Sequence, residues 1–251
     1  MHFVSTGTKF PYSYYLGIMS ASKFGEVKLW YVVKPDSEYF NEVIAKVPSQ
    51  QVSCPSFPTF KDRSPHFNLV SKFDYLVWKI VARYGGSVMG LDSITIKPFH
   101  DLLKKEMLVG VDAETVDDSY CMHGATAKPN SKIAGKIHED SVKALNGKKI
   151  SGRHDAFDKG ELRFGGAGII PFLNNVYKNP DKVSVVKFGM LGGYMHDGSP
   201  FYLYEKDGKL LHKDTKTIPF YATWQSKKFN EITPESIKGT LLGKLVEELQ
   251  L

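Results

Sequence analysis

The chain has 251 residues, 42% of them hydrophobic and 24% charged, a composition that suits a folded protein with one substantial core and excludes a disordered chain. Lys and Arg number 33 against 27 Asp and Glu, and the formal net charge of +6 favours anionic partners such as phosphates. No run approaches the roughly 20 apolar residues of a spanning helix, and the start lacks a secretion signal. We therefore expect one cytoplasmic domain over residues 1–251, with Cys54 and Cys121 as free thiols.

The first part of the chain alternates predicted strands and helices. Strands are indicated at 2–5 and 27–33, and helices at 14–22 and at 37–46, the second capped by Ser37. Three prolines indicate a loop over 53–66. This alternation predicts an α/β fold with a mostly parallel central sheet and flanking helices.

A helix over 69–84 is the most informative prediction. Its apolar residues recur at steps of three and four, and they are Leu69, Phe73, Leu76, Val77, Ile80, Val81 and Tyr84. Gly85 and Gly86 end the helix because glycine accepts positive φ, and 87–89 returns as a strand. Asp92 then follows a strand end, which is where ligands bind in open α/β sheets.

The remaining elements are predicted from the same patterns. Strands are indicated at 108–111, 120–126 and 183–188, helices at 131–145 and 234–249, and an apolar run at 169–176 after a glycine cluster. Residues 146–163 are predicted to form a lid, and a hairpin is indicated around Lys206-Asp207-Gly208.

A carboxylate at a strand end has a clear chemical use. Mn²⁺ and Mg²⁺ prefer oxygen ligands, and proteins commonly hold them with one or two carboxylates while diphosphate oxygens complete the shell. Asp92 is therefore a candidate metal ligand, although aspartate is also common as a plain turn residue.

The segment from Phe73 to Pro98, FDYLVWKIVARYGGSVMGLDSITIKP, resembles the sugar-binding region of the DXD-containing family 32 glycosyltransferases. That family includes initiating mannosyltransferases and shares the GT-A fold with clostridial glucosylating toxins. The resemblance implies a GT-A fold and transfer from a nucleotide diphosphate sugar, with retention at the anomeric carbon. It also implies that Asp92 binds Mn²⁺ or Mg²⁺ and that Asp74 contacts a sugar hydroxyl. No catalytic nucleophile is assigned.

Further segments resemble other parts of the family. The opening HFVSTGTKFPYSYYLGIMSASKFGEVKLWYV is similar to its nucleotide pocket, HGATAKPNS to its acceptor-side strand, FGGAGIIPFL to its glycine-rich helix start, and TWQSKKF to its tryptophan segment. Residues 1–100 would bind the donor and 101–251 the acceptor. The implied donor contacts are Val4, Ser5, Thr6, Tyr15, Asp74, Gly90, Asp92, Trp224, Ser226 and Lys227. The implied acceptor-side or sugar-side residues are His123, Asp155 and Gly166.

The sequence also departs from the family pattern. Gly90 stands at the first aspartate of the DXD motif, Val77 at a helix arginine, and Ala222 or Thr223 at a late histidine. Two acceptor classes stay open, a glycan precursor and hydroxymethylated DNA bases, the second favoured by positive charge. The alternative from another class is a noncatalytic module that binds a nucleotide sugar or glycan through a degenerate motif.

Overall fold

The computed structural model describes residues 1–62, 65–111, 120–152, 166–187, 190–191, 203–204, 206, 213–219 and 232–251. The strands are β1 (His2–Ser5), β2 (Lys28–Tyr31), β3 (Ser49–Gln51), β4 (Gly86–Met89), β5 (Ser93–Thr95), β6 (Met107–Val111), β7 (Tyr120–Ala127), β8 (Val183–Val186) and β9 (Thr217–Pro219). The α-helices are α1 (Tyr12–Ser22), α2 (Glu38–Lys46), α3 (Pro65–Tyr84), α4 (Lys132–Leu145), α5 (Gly166–Tyr177) and α6 (Leu241–Glu248). None of the helices in these ranges has the length and apolarity that a bilayer-crossing segment needs.

Seven strands form one sheet in the order β3-β2-β1-β4-β7-β6-β8. The pairs β3–β2, β2–β1, β1–β4 and β6–β8 are parallel, while β7 runs antiparallel to both of its neighbours. A second, two-stranded antiparallel sheet joins β5 to β9. The predicted α/β fold, with a mostly parallel sheet flanked by helices, is confirmed.

Helix α3 forms the centre of the main core. Leu76, Val77, Trp78 and Val81 are buried, and Trp78 stacks on Phe172 of α5 with ring centroids 5.7 Å apart. Full burial of such a side chain contributes roughly 1.5–3 kcal/mol, so this face anchors α3 between the sheet and α5. The predicted helix is confirmed, but Leu69 and Tyr84 of its predicted apolar face are exposed, at 37% and 49%. The helix extends four residues further towards its N-terminus, to Pro65, because proline is tolerated in a first helical turn.

Two glycines turn the chain from α3 into β4. Gly85 and Gly86 have φ angles of 71° and 89°, which confirms the prediction of positive φ at this turn. A Cβ atom at Gly85 would lie 2.5 Å from the backbone nitrogen of Pro129, which leaves no room for a larger residue. The turn therefore directs β4 into the sheet beside β1 and β7.

Other predictions need correction. Ser37 precedes α2 as expected, but its hydroxyl donates to the Phe10 carbonyl at 2.8 Å and makes no cap hydrogen bond. The loop predicted at 53–66 contains a 3₁₀ turn at Pro58–Asp62. The last helix begins only at Leu241, because Gly239 adopts a φ of 76° and Thr240 caps α6 through the Gly243 N–H. The predicted lid and hairpin lie mostly outside the described residues.

Neutral His2 ties the first strand to the α3–β4 turn. Its Nδ1 accepts a hydrogen bond from Trp30 Nε1 at 3.2 Å, so its Nε2 carries the proton and donates to the Gly85 carbonyl at 3.0 Å. Burial lowers the pKa of His2 to about 4 from its ordinary 6.5. Protonation of this ring is therefore coupled to unfolding.

Acidification is expected to lower the free energy of unfolding through His2. The folded-state pKa lies below the unfolded one, so the contribution is complete above pH 6.5 and is lost as the pH falls towards 4. Urea unfolding of wild type and His2→Asn at about pH 7.5 and about pH 5 measures it. The acid loss is expected to be smaller in His2→Asn by roughly 2 kcal/mol. Equal losses in the two proteins would show that His2 protonates freely in the fold.

Candidate functional site

The ends of β1 and β4 lie side by side at one edge of the sheet. Their register pairs Phe3 with Met89, so Ser5 and the segment after Met89 leave the sheet at the same edge. Val4 is 2% exposed and Ser5 1% exposed, both under this edge. The carboxyl edge of parallel strands is the usual ligand position in open α/β folds.

Helix α1 packs against the segment that follows β4. A Cβ atom at Gly17 would lie 2.5 Å from the Leu91 carbonyl oxygen and 2.7 Å from that of Ser93, so only glycine permits this approach. The Ser20 hydroxyl accepts a hydrogen bond from the Thr95 N–H at 3.0 Å. Asp92, between the two carbonyls, is thus carried by a segment that is fixed at two points.

His123 of β7 holds the same segment from the other side. Its Nδ1 accepts a hydrogen bond from the Gly90 N–H at 3.3 Å, and its Nε2 lies 3.0 Å from Thr217 Oγ1 on β9. Because Nδ1 accepts, the proton of the neutral ring is on Nε2, which donates to Thr217. Burial lowers the pKa of His123 to about 4, so the ring is neutral near pH 7.

Gly90 is the point where these groups meet. A Cβ atom at position 90 would lie 2.9 Å from Asp92 Oδ1 and 3.4 Å from His123 Nδ1. The space that a side chain at position 90 would enter is therefore bordered by the Asp92 carboxylate and the His123 ring. Two predicted site residues, Asp92 and His123, lie together here.

The Asp92 carboxylate acts on two tyrosines. Burial, with the negative charge of Asp92 as a further cause, raises the pKa of Tyr14 to about 12 and also raises the pKa of Tyr204. Both phenols therefore stay protonated at neutral pH and can donate hydrogen bonds. Asp92 is thus a negatively charged side chain close to two neutral phenols, Tyr14 and Tyr204.

Asp74 lies in a different setting. It is 2% exposed, and its carboxylate contacts the place where a Cβ atom of Gly168 would be, in the first turn of α5. A carboxylate near a helix N-terminus is stabilised by the exposed N–H groups and the helix dipole. Gly166, another predicted residue, begins the same helix.

The predicted nucleotide contacts lie on both sides of β1. The Thr6 hydroxyl donates to the Leu69 carbonyl of α3 at 3.2 Å. Tyr15 points towards α2, where Lys46 Nζ donates to its hydroxyl at 3.4 Å. Its ring also stacks on Tyr12 with centroids 5.8 Å apart. An open depression of about 400 Å³ beside Lys46 is lined by Tyr31, Ile44, Ala45, Lys46, Val47, Pro48 and Ser49, and its lining does not include Asp92.

Several predicted residues lie outside the described ranges. They are Asp155 of the predicted lid and Trp224, Ser226 and Lys227 of the tryptophan segment. Their predicted roles beside the sugar and the diphosphate stay predictions.

Asp92 carries the kind of oxygen ligand that a divalent cation such as Mg²⁺ prefers. Within the described ranges there is no group of three or more His, Cys, Asp or Glu side chains that could hold a metal alone. A cation at Asp92 would therefore take further ligands from a bound diphosphate, as Mg²⁺ commonly does. The negative charge of Asp92, which adds to burial in raising the pKa of Tyr14 and Tyr204, also has the sign that attracts a cation.

Sequence reasoning missed four residues of this region: Tyr14, Gly17, Tyr204 and Thr217. Gly17 and the small residues Ser20 and Ala21 recur at helical spacing in a helix that also carries three tyrosines, and that spacing signals a close contact. Thr217 carries no such signal, because its strand has three residues and pairs with β5 across the chain.

No protein-family model matches the chain, and the comparison with curated proteins finds no match. Among solved structures, the chain is similar to the PaToxG glycosyltransferase, with 17% identity, 71% of this chain and 67% of that chain covered, and a TM-score of 0.48. A likeness at this distance carries no residue role over to this chain.

Proposed function

We propose that the chain is a glycosyltransferase that takes a sugar from a nucleotide diphosphate sugar and passes it to a hydroxyl acceptor. The observation that supports it best is the position of Asp92. In the segment that resembles the family 32 sugar-binding region, Asp92 follows the end of β4. This end lies at the carboxyl edge of the sheet, beside the end of β1. The resemblance implies a donor at this edge, and the usual position of ligands at the carboxyl ends of parallel strands supports the same assignment.

The residues of this edge have distinct parts in the proposal. Asp92 would hold Mn²⁺ or Mg²⁺, whose charge would offset the negative charge of the leaving diphosphate. The protonated hydroxyls of Tyr14 and Tyr204 donate hydrogen bonds to oxygens of the donor. Ser5 and Thr6 border the nucleotide from the end of β1.

Residues beyond this edge complete the proposed donor and acceptor sites. Val4 and Tyr15 contribute to the nucleotide side, and Asp74 to the sugar. Trp224, Ser226 and Lys227 close over the diphosphate, while Asp155 and Gly166 lie on the sugar side. Retention at the anomeric carbon follows from the family resemblance, and the proposal requires no protein nucleophile.

The acceptor is a glycan precursor or a hydroxymethylated DNA base. The formal charge of +6 supports an anionic acceptor or donor without separating the two. Transfer to DNA would weaken steeply with salt, because each neutralised phosphate releases counterions. Transfer to an uncharged glycan would change little over the same salt range.

One observation favours a second function, a noncatalytic donor-binding module. Val77, which stands at the helix arginine of the family, is fully buried in the main core, so this position cannot present a cation to a donor without refolding its surroundings. In that case a nucleotide sugar binds and is not turned over.

The donor screen separates these functions. Uridine, guanosine, cytidine and adenosine diphosphate sugars are tested with and without Mn²⁺, by thermal shift and by release of nucleoside diphosphate. A glycosyltransferase is expected to show metal-dependent stabilisation and slow hydrolysis with one donor; at a ligand concentration a hundredfold above Kd the stabilisation is about 2.7 kcal/mol. Stabilisation without hydrolysis would favour the binding module, and no response to any donor would reject both.

A further inference from the structure

Asp92 lies next to a contact between Gly90 and His123 that the DXD pattern does not contain. In that pattern the first aspartate occupies the position of Gly90. Here a Cβ atom at Gly90 would lie within 3.4 Å of both the Asp92 carboxylate and the His123 ring. The Asp92 carboxylate and the His123 ring thus lie close to Gly90, and a larger residue at position 90 would require the Asp92 side chain to move.

His123 also joins two elements that are distant in sequence. Its ring accepts from the Gly90 N–H at the exit of β4 and donates to Thr217 of β9, with heavy-atom distances of 3.3 and 3.0 Å. Thr217 itself is fully buried and pairs with Thr95 of β5, which follows Asp92. The strands before and after Asp92 are therefore both connected to one imidazole.

Both ring nitrogens are occupied by these hydrogen bonds. Nδ1 has no lone pair left for a metal, and Nε2 has no proton left for a sugar hydroxyl. Such an arrangement suits a residue that orients a neighbour and does not suit one that contacts the ligand. Orientation to within about 0.5 Å is what a donor site needs from its supporting side chains.

We propose that His123 is a positioning residue that sets the orientation of Asp92 by joining Gly90 to Thr217, in place of the contacts that a first motif aspartate would make. The proposal rests on the glycosyltransferase function for its kinetic consequences only. The hydrogen-bond arrangement itself is a property of the free protein.

The first experiment uses no donor. ¹⁵N-histidine NMR of the whole chain near pH 7 reports which ring nitrogen of His123 carries the proton. The expected spectrum shows a proton on Nε2, with a cross-peak that moves in Thr217→Val and stays in Thr217→Ser, because serine keeps the hydroxyl acceptor. A proton on Nδ1, or a spectrum unchanged in Thr217→Val, would overturn the proposal even if no donor were found.

The second experiment uses the donor identified in the screen. His123→Ala removes both hydrogen bonds, whereas His123→Asn keeps an acceptor for the Gly90 N–H. We expect kcat for donor hydrolysis to fall 10- to 100-fold in His123→Ala with KM changed less than threefold, and to recover to within about fivefold of wild type in His123→Asn. Equal loss in both variants, or wild-type kcat per folded molecule in His123→Ala, would contradict the positioning role. A wild type without activity would contradict the proposed function and leave the NMR result standing.

Discussion

The Asp92→Asn variant is expected to fold like wild type and to lose metal-dependent donor hydrolysis by about a hundredfold or more. Asparagine keeps the shape of the side chain and its place between the carbonyls of Leu91 and Ser93. It removes the charge that would hold the cation, so the leaving diphosphate would go uncompensated. The metal-dependent part of the thermal shift is expected to disappear as well.

Asp36→Asn is the matched control for this substitution. Asp36 is exposed in the segment before α2, and it is not among the charges that act on Tyr14 and Tyr204. The two variants carry the same change in net charge. A difference between their hydrolysis rates therefore reports the location of the lost carboxylate and not the total charge of the protein. If Asp92→Asn hydrolysed the donor at the wild-type rate with Mn²⁺ present, the cation would have to be held elsewhere in the chain.

A loss of stability is also expected when Gly17 is replaced. Alanine at this position would bring a methyl group within 2.5 Å of one carbonyl oxygen and 2.7 Å of another, and both belong to backbone that cannot turn aside like a side chain. Overpacking of this kind costs about 1–3 kcal/mol. The better helix propensity of alanine, about 1 kcal/mol, offsets part of that cost and leaves a net loss of up to about 2 kcal/mol.

Gly135→Ala is the control, because it places the same methyl group in the same secondary structure without a neighbour. A Cβ atom at Gly135 in α4 would meet no atom within 4 Å. Urea unfolding is expected to show Gly135→Ala more stable than wild type by up to about 1 kcal/mol, and Gly17→Ala less stable. Donor affinity should fall in Gly17→Ala alone, since α1 then displaces the Asp92 segment. Equal stability of the two variants would show that α1 does not press on this segment.

The fold was predictable where local chemistry decides it. The apolar spacing from Leu69 onwards and the paired glycines after Tyr84 each fix a structure within a few residues of the chain. The start of α6 was predicted too early, because a positive φ at Gly239 stops the helical pattern and composition does not reveal it. The three-residue strands β3, β5 and β9 were missed for a different reason, since they are too short for a period of two to be visible.

The candidate site was predictable only in part. Asp92 could be found because a strand, a turn and a carboxylate follow one another along the chain. The contacts around it come from residues far apart in sequence, such as Gly90 with His123 and His123 with Thr217, and no local pattern reports them. Asp74 illustrates the same difficulty, because its burial against the first turn of α5 depends on how two helices meet.

The pairing of β5 with β9 has a consequence for how the protein is made. Thr95 of β5 can pair only after Thr217 of β9 has been synthesised, which takes on the order of ten seconds more at roughly 5–20 residues per second. During that interval β1 to β4 can already assemble, while the strand that follows Asp92 has no partner. A nascent chain can therefore assemble the parallel β3-β2-β1-β4 part of its sheet while β5, the strand after Asp92, is still unpaired.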